Sequence, residues 1–172
     1  YATMRPIAVA ILLIMGLLGL AACTDEARTS YLDLQGRVFI FNPRIATATY
    51  VVTLAIRKTP PAGSKVVATF DNPAGGEALR IEQPFRDGQT RVSLESDPLQ
   101  CVKKGRTYAF HVSVVDASGK ELQKVDSSIT STLDQSILPP APLVIGPGYE
   151  PNPALEETAG KDVMAQRAQC PP

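Results

Sequence analysis

The chain has 172 residues, enough for one domain with tails, and its 17 Lys+Arg balance its 17 Asp+Glu. That balance excludes the basic field on which nucleic-acid binding depends at physiological salt, so no nucleic-acid partner is expected. The chain lacks tryptophan and carries 15 prolines and 12 glycines, a composition suited to short strands and turns rather than to helices.

Residues 4–23 read MRPIAVAILLIMGLLGLAAC: one cation at Arg5, a 16-residue apolar run from Ile7 to Ala22, then small residues and a cysteine. This order is that of a secretory signal. A membrane-spanning helix is the competing reading, but it needs about 20 apolar residues, Gly16 and Gly19 weaken the end of this run, and the residues that follow, Thr24-Asp25-Glu26, hold no stop-transfer cations. Leu20-Ala21-Ala22-Cys23 resembles the lipobox of bacterial lipoproteins. The resemblance implies cleavage before Cys23, a diacylglycerol on the Cys23 thiol, and a chain held to the membrane by lipid. Residues 1–22 are then the signal peptide and 23–30 a polar lipidated tether. By the sorting rule of that family, Thr24 rather than an aspartate after the cysteine implies the outer membrane, facing the periplasm.

From Tyr31 the pattern turns to period two, and residues 31–133 are expected to form an antiparallel sandwich. Residues 36–41 make a first strand closed by Asn42-Pro43, and residues 46–56 make the clearest one. There Ala48, Tyr50, Val52, Leu54 and Ile56 fall on one face and Thr47, Thr49 and Thr53 on the other, as a half-buried antiparallel strand requires. Pro60-Pro61 breaks the chain. Residues 65–70 alternate with Val66, Ala68 and Phe70 inward; 78–81 form a weaker strand, an edge candidate, ended by Pro84; and 90–95 alternate again after Asp87-Gly88. Residues 108–116 carry Tyr108, Phe110, Val112 and Val114 on one face, and a last strand follows Ala117-Ser118-Gly119. Tyr108 at the start of the penultimate strand resembles the tyrosine corner of immunoglobulin-like sandwiches, which implies a core ring whose hydroxyl bonds back to the preceding loop. The expected class is all-β: an immunoglobulin-like sandwich of about seven strands.

A second resemblance spans residues 34–129. The lipobox, the opening Gly36-Arg37-Val38, the strand Thr49-Tyr50-Val51-Val52-Thr53-Leu54, and the set Tyr108, Phe110, Val112, Gly119 and Leu122 are similar to lipoproteins of the YbaY/YscW type, which include pilotin-type chaperones of type III secretion. The resemblance implies a small β-sandwich lipoprotein and transfers no site residue.

Residues 134–172 form a Pro-rich tail. Six prolines between Pro139 and Pro153 argue for an extended, polyproline-like segment, with a short polar helix over 154–169 that Gly160 interrupts. Leu143-Val144-Ile145 is too apolar for a solvated linker: these residues either pack on the domain or are offered to a partner groove.

Catalytic and metal constellations do not emerge. His111, the single histidine, lies on the strand face opposite Phe110 and Val112, and one histidine does not build a metal site. No G-x-S-x-G or S-x-x-K is present, and Asp71, Asp87, Asp97 and Asp116 sit at turns where Asp bonds its own backbone. No enzyme, metal or cofactor is expected. With Cys23 lipidated, Cys101 and Cys170 remain as an even pair, open to a disulfide in an oxidising compartment or to free thiols. The functional expectation is a membrane-anchored envelope module that binds or chaperones an envelope protein; the alternative is a structural envelope lipoprotein with no exchanging ligand.

Overall fold

The computed structural model describes residues 30–155 and 170–172; Cys23, the rest of the signal and tether through residue 29, and residues 156–169 of the expected helix lie outside it. Seven strands carry the architecture: β1 Leu32–Asn42, β2 Thr47–Ile56, β3 Lys65–Phe70, β4 Leu79–Pro84, β5 Arg91–Glu95, β6 Thr107–Val115 and β7 Glu121–Thr130. They form two antiparallel sheets, β1-β2-β5 and β4-β3-β6-β7. This is the expected all-β sandwich, three strands against four, with the chain crossing between sheets after β2, β4 and β5.

The core follows from the alternation. Ala48, Tyr50, Val52 and Leu54 of β2 face Val66, Ala68 and Phe70 of β3 and Phe110, Val112 and Val114 of β6, all fully buried. Tyr50 stacks on Phe70 with centroids 4.9 Å apart and lies 4.7 Å from Phe39, and its hydroxyl donates to the Asp71 carbonyl at 3.0 Å. β4 is an edge strand, as its weak pattern suggested, and therefore tolerates Pro84 as its last residue.

β1 starts four residues earlier than the sequence pattern places it. Leu32 and Leu34 point inward at even positions, whereas Phe39 and Phe41 do so at odd ones. A bulge between Leu34 and Gly36 inserts one residue and reverses the parity, so a strict period-two reading stops at the bulge. The start of β1 is fixed from the other sheet: the Gln123 side chain of β7 accepts from Tyr31 N (2.7 Å) and Leu32 N (2.9 Å) and donates to Leu32 O (2.8 Å). One amide thus supplies the partners an edge strand would otherwise lack, and it sets where the chain enters the sandwich.

Tyr108 makes the expected corner. Its ring is buried and its hydroxyl accepts from Lys103 N at 2.9 Å, five residues upstream. Tyr108→Phe leaves that part-buried N–H without its acceptor. It is expected to cost about 1–3 kcal/mol, read from the urea midpoint at unchanged slope.

Candidate functional site

Alternating strand directions place the β1–β2 turn, the loops 71–78 and 96–106, and everything after β7 at one end of the sandwich, opposite the end where Tyr31 leads into β1. The tail is built onto this end. Asp134 caps a single 3-10 turn, Gln135–Ile137, by accepting from Ser136 N at 2.9 Å. Gln135 then ties the turn down: its Oε1 accepts from Val102 N (3.0 Å), its Nε2 donates to Leu99 O (2.7 Å), and its own N donates to Val102 O (2.8 Å). Leu138 follows into the core.

Beyond Leu138 the chain crosses to the β1–β2 turn, where Leu143 N and Val144 N both donate to Arg44 O, at 2.9 and 3.3 Å. It then forms a small hairpin, β8 Val144–Ile145 against β9 Glu150–Pro151. The extended polyproline-like reading is therefore corrected: Gly146 adopts φ +67° and reverses the chain with Pro147-Gly148, while Pro151 occupies the final position of a two-residue strand. Asn152 closes the hairpin, its Nδ2 donating to Pro142 O (2.8 Å) and its N to Leu143 O (3.0 Å). Arg44 lies 4.6 Å above the ring centre of Tyr149, a cation–π contact that fixes the hairpin tip.

Cys101 and Cys170 are joined as a disulfide, with Cα atoms 5.4 Å apart. Lys103 Nζ donates to Pro171 O beside it, and Arg106 Nη1 to Pro172 O at 3.3 Å. Residues 31–155 and 170–172 thus belong to one compact unit, and the described part of the tail, residues 134–155, is a strap across the sandwich end.

The residues expected to meet a partner are divided by this geometry. Val144 is half-buried, whereas Leu143 is 40% and Ile145 43% exposed, and Tyr149 beside them is 61% exposed. Ile45, 47% exposed in the adjacent turn, adds a fourth apolar side chain. The sequence pattern missed Ile45, Arg44 and Tyr149, because only the folded tail brings the β1–β2 turn and residues 143–149 together; the Gly-Pro-Gly-Tyr run was the one local sign of a turn there.

Beneath the strap lies a cleft of about 390 Å³, between the 3-10 turn, the loop 100–103, the β1–β2 turn and the disulfide. A larger cleft of about 680 Å³ sits at the opposite end, between loops 57–64 and 85–90. Arg57 and Lys65 at its edge are already paired, with Asp33 (2.7 Å) and Glu82 (2.6 Å).

The titratable groups elsewhere are on the surface. His111 bonds Asp126 across β6 and β7 on the outer face of the four-stranded sheet, with Thr69 opposite His111 on β3. The hydrogen bond from His111, and then that from Lys124, hold the Asp126 carboxyl below the usual carboxylate range. This row lies outside both clefts. Asp116 behaves as a turn aspartate, accepting from Ser118 N and Lys120 N, and the Ser118 hydroxyl leads in lowering its pKa. Asp71 does not: it continues the β3–β6 ladder by accepting from Ala109 N at 2.7 Å. Among the described residues no three His, Cys, Asp or Glu side chains converge on a metal position, and no helix is long and apolar enough to cross a membrane.

No protein-family model matches this chain, and no curated protein is significantly similar to it.

Proposed function

We propose that the chain is an envelope lipoprotein, anchored through Cys23 to the outer membrane, that holds an envelope protein partner at the strap end of its sandwich. It acts by binding, in the manner of a chaperone or pilotin, and uses no catalytic group, metal or cofactor. The observation that carries this reading is the position of the hairpin. Leu143 and Ile145 are exposed yet fixed in place, at the end opposite Tyr31, where a Cys23 tether would join the domain. The 11 residues of β1 separate the two ends by roughly 35 Å at the usual rise per strand residue. Leu143, Ile145 and Tyr149 therefore lie a full strand length from the residue at which the tether would enter the domain. A preformed apolar patch of this kind loses little ordering entropy on binding.

Two measurements test the reading. The intact mass of the mature protein is expected to begin at Cys23 with added acyl chains and to lack two daltons for the Cys101–Cys170 bond. A mass beginning at Met4 without lipid removes the anchor. Crosslinking in intact envelopes, with the double variant Leu143→Ser/Ile145→Ser beside wild type, tests the patch. One defined protein adduct is expected with wild type and about a tenfold loss with the variant, the equivalent of burying two medium apolar side chains incompletely. Equal adducts from both proteins rule out the hairpin as the binding element. A chain with no adduct and an envelope-integrity defect on deletion is instead a structural component.

A further inference from the structure

The 390 Å³ cleft beneath the strap falls within the size range of small-ligand sites, 300–1,000 Å³, and its walls mix apolar and polar surface. Ile45, Val102, Leu138, Pro139, Pro140 and Pro142 line it with apolar surface. Its polar side chains differ in how far they are already committed. Both ends of the Gln135 amide are bonded to backbone, and Asp134, the one carboxylate in the lining, caps Ser136 N. Among the described residues Lys103 bonds the Pro171 carbonyl, a neutral acceptor.

Among the described residues around the cleft, cations outnumber the single lining carboxylate, Asp134. The loop 101–106, CVKKGR, holds Lys103, Lys104 and Arg106 with no carboxylate, and Arg44 precedes Ile45 in the facing turn. Backbone conformation marks the same place. Of the three non-glycine residues with positive φ among those described, Ala46 (+55°) and Cys101 (+66°) both line this cleft, and Tyr149 (+55°) is at the hairpin tip. Such conformations cost of order 1–3 kcal/mol each and persist where the surroundings impose them, often at ligand sites. The disulfide and the Gln135 hydrogen bonds impose the shape here.

We infer that this cleft binds a single-chain anionic amphiphile, its alkyl chain against Ile45, Leu138, Pro140 and Pro142 and its carboxylate on Lys103. A carboxylate replaces the Pro171 carbonyl as the partner of Lys103 because a hydrogen bond between two charged groups is roughly twice as strong as one to a neutral acceptor. Lys104 and Arg106 add a favourable field and no fixed geometry. The site shares Ile45 with the exposed hairpin face but not Leu143, Ile145 or Tyr149, and it does not depend on a protein partner being held there.

Calorimetric titration of the full-length protein, with dodecyl-chain probes below their micelle concentrations, tests the inference. Laurate is expected to bind one to one, with dodecyl maltoside and dodecyltrimethylammonium at least about tenfold weaker, the difference one charge-assisted hydrogen bond supplies. Lys103→Gln is expected to bring laurate down to the level of the maltoside, and Ile45→Ser to weaken all chains. Lys58→Gln, at the opposite end, leaves binding unchanged, and matched melting temperatures show that the variants are folded. The inference is overturned by equal binding of the three head groups, by unaltered laurate affinity in Lys103→Gln, or by no laurate binding. Association with phosphatidylglycerol vesicles without uptake of monomeric laurate also overturns it, since the cations would then serve a membrane surface.

Discussion

Replacing Cys101 and Cys170 together by serine is expected to lower the unfolding free energy by about 4 kcal/mol. The pair closes a loop of 69 residues, and in the chain-entropy model a loop of that length restricts the unfolded ensemble by this amount, taken as an upper value. Against a typical total of 5–15 kcal/mol the loss is severe. The native state has a further reason to depend on the bond: it fixes the residues at 170–172, which Lys103 and Arg106 contact from the sandwich side. The measurement is urea unfolding of the oxidised protein, the reduced protein and the double serine variant. The reduced protein and the variant are expected to share one lower midpoint. A variant as stable as the oxidised protein would show that the strap is held by Gln135, Leu138 and Arg44 alone.

The second large effect is expected at Tyr50. Its ring is wholly buried between Phe39, Phe70 and Tyr108, so Tyr50→Ala removes the centre of the aromatic cluster. The cost is about 3–5 kcal/mol, as for other large-to-small aromatic truncations, enough to unfold a marginal domain. Tyr50→Phe separates ring from hydroxyl: it keeps the packing and removes only the bond to the Asp71 carbonyl, at about 1 kcal/mol. Wild type and Tyr50→Phe also differ in base. Burial, followed by the neighbouring Tyr108 and Asp71, pushes the Tyr50 hydroxyl well above its ordinary value. The folded state therefore holds this proton more tightly than the unfolded chain does. The associated stability is fully present below the unfolded tyrosine value of about 10 and falls as the pH rises above it. Wild type is expected to lose stability between pH 10 and 12 more steeply than Tyr50→Phe. Parallel pH profiles for the two would show that Tyr50 ionises freely in the native state.

The smaller effects belong to the same frame. Tyr108→Phe tests the corner between the loop 96–106 and β6, and the hairpin substitutions test a surface with little bearing on stability. Leu143 and Ile145 are exposed, so changing them should leave the unfolding midpoint almost unaltered while changing what the protein holds. That separation matters for interpretation, because a lost partner in a destabilised variant says nothing about the surface.

Much of the sandwich was legible in the sequence. Residues 47–56 and 107–115 announce themselves because each alternates through four buried positions, and a one-residue slip would turn all of them to water. The tyrosine corner was legible for a related reason: a tyrosine opening a strand of the core has one economical place for its hydroxyl, the backbone just upstream. The pairing of Cys101 with Cys170 was legible only as a possibility, since compartment and parity say that two thiols can meet and only tertiary structure brings their Cα atoms to 5.4 Å.

What the sequence determined by itself was the local pattern: which residues alternate, where turns interrupt them, and the expectation of a lipid anchor at Cys23. What tertiary structure decided was everything that depends on residues distant in sequence. Gln123 reaches back to the first residues of β1 across 91 positions, and a side-chain amide standing in for a strand leaves no periodic trace. The β1 bulge reverses the strand's faces for the sake of the core and so hides its first half from a period-two reading. The strap is the clearest case. Its prolines exclude helix and central strand, but they do not say that Leu138 enters the core, that Arg44 receives Leu143 and Val144, or that a cleft is left beneath. Those outcomes follow from which surface the sandwich leaves open at that end, and that surface exists only once both sheets have packed.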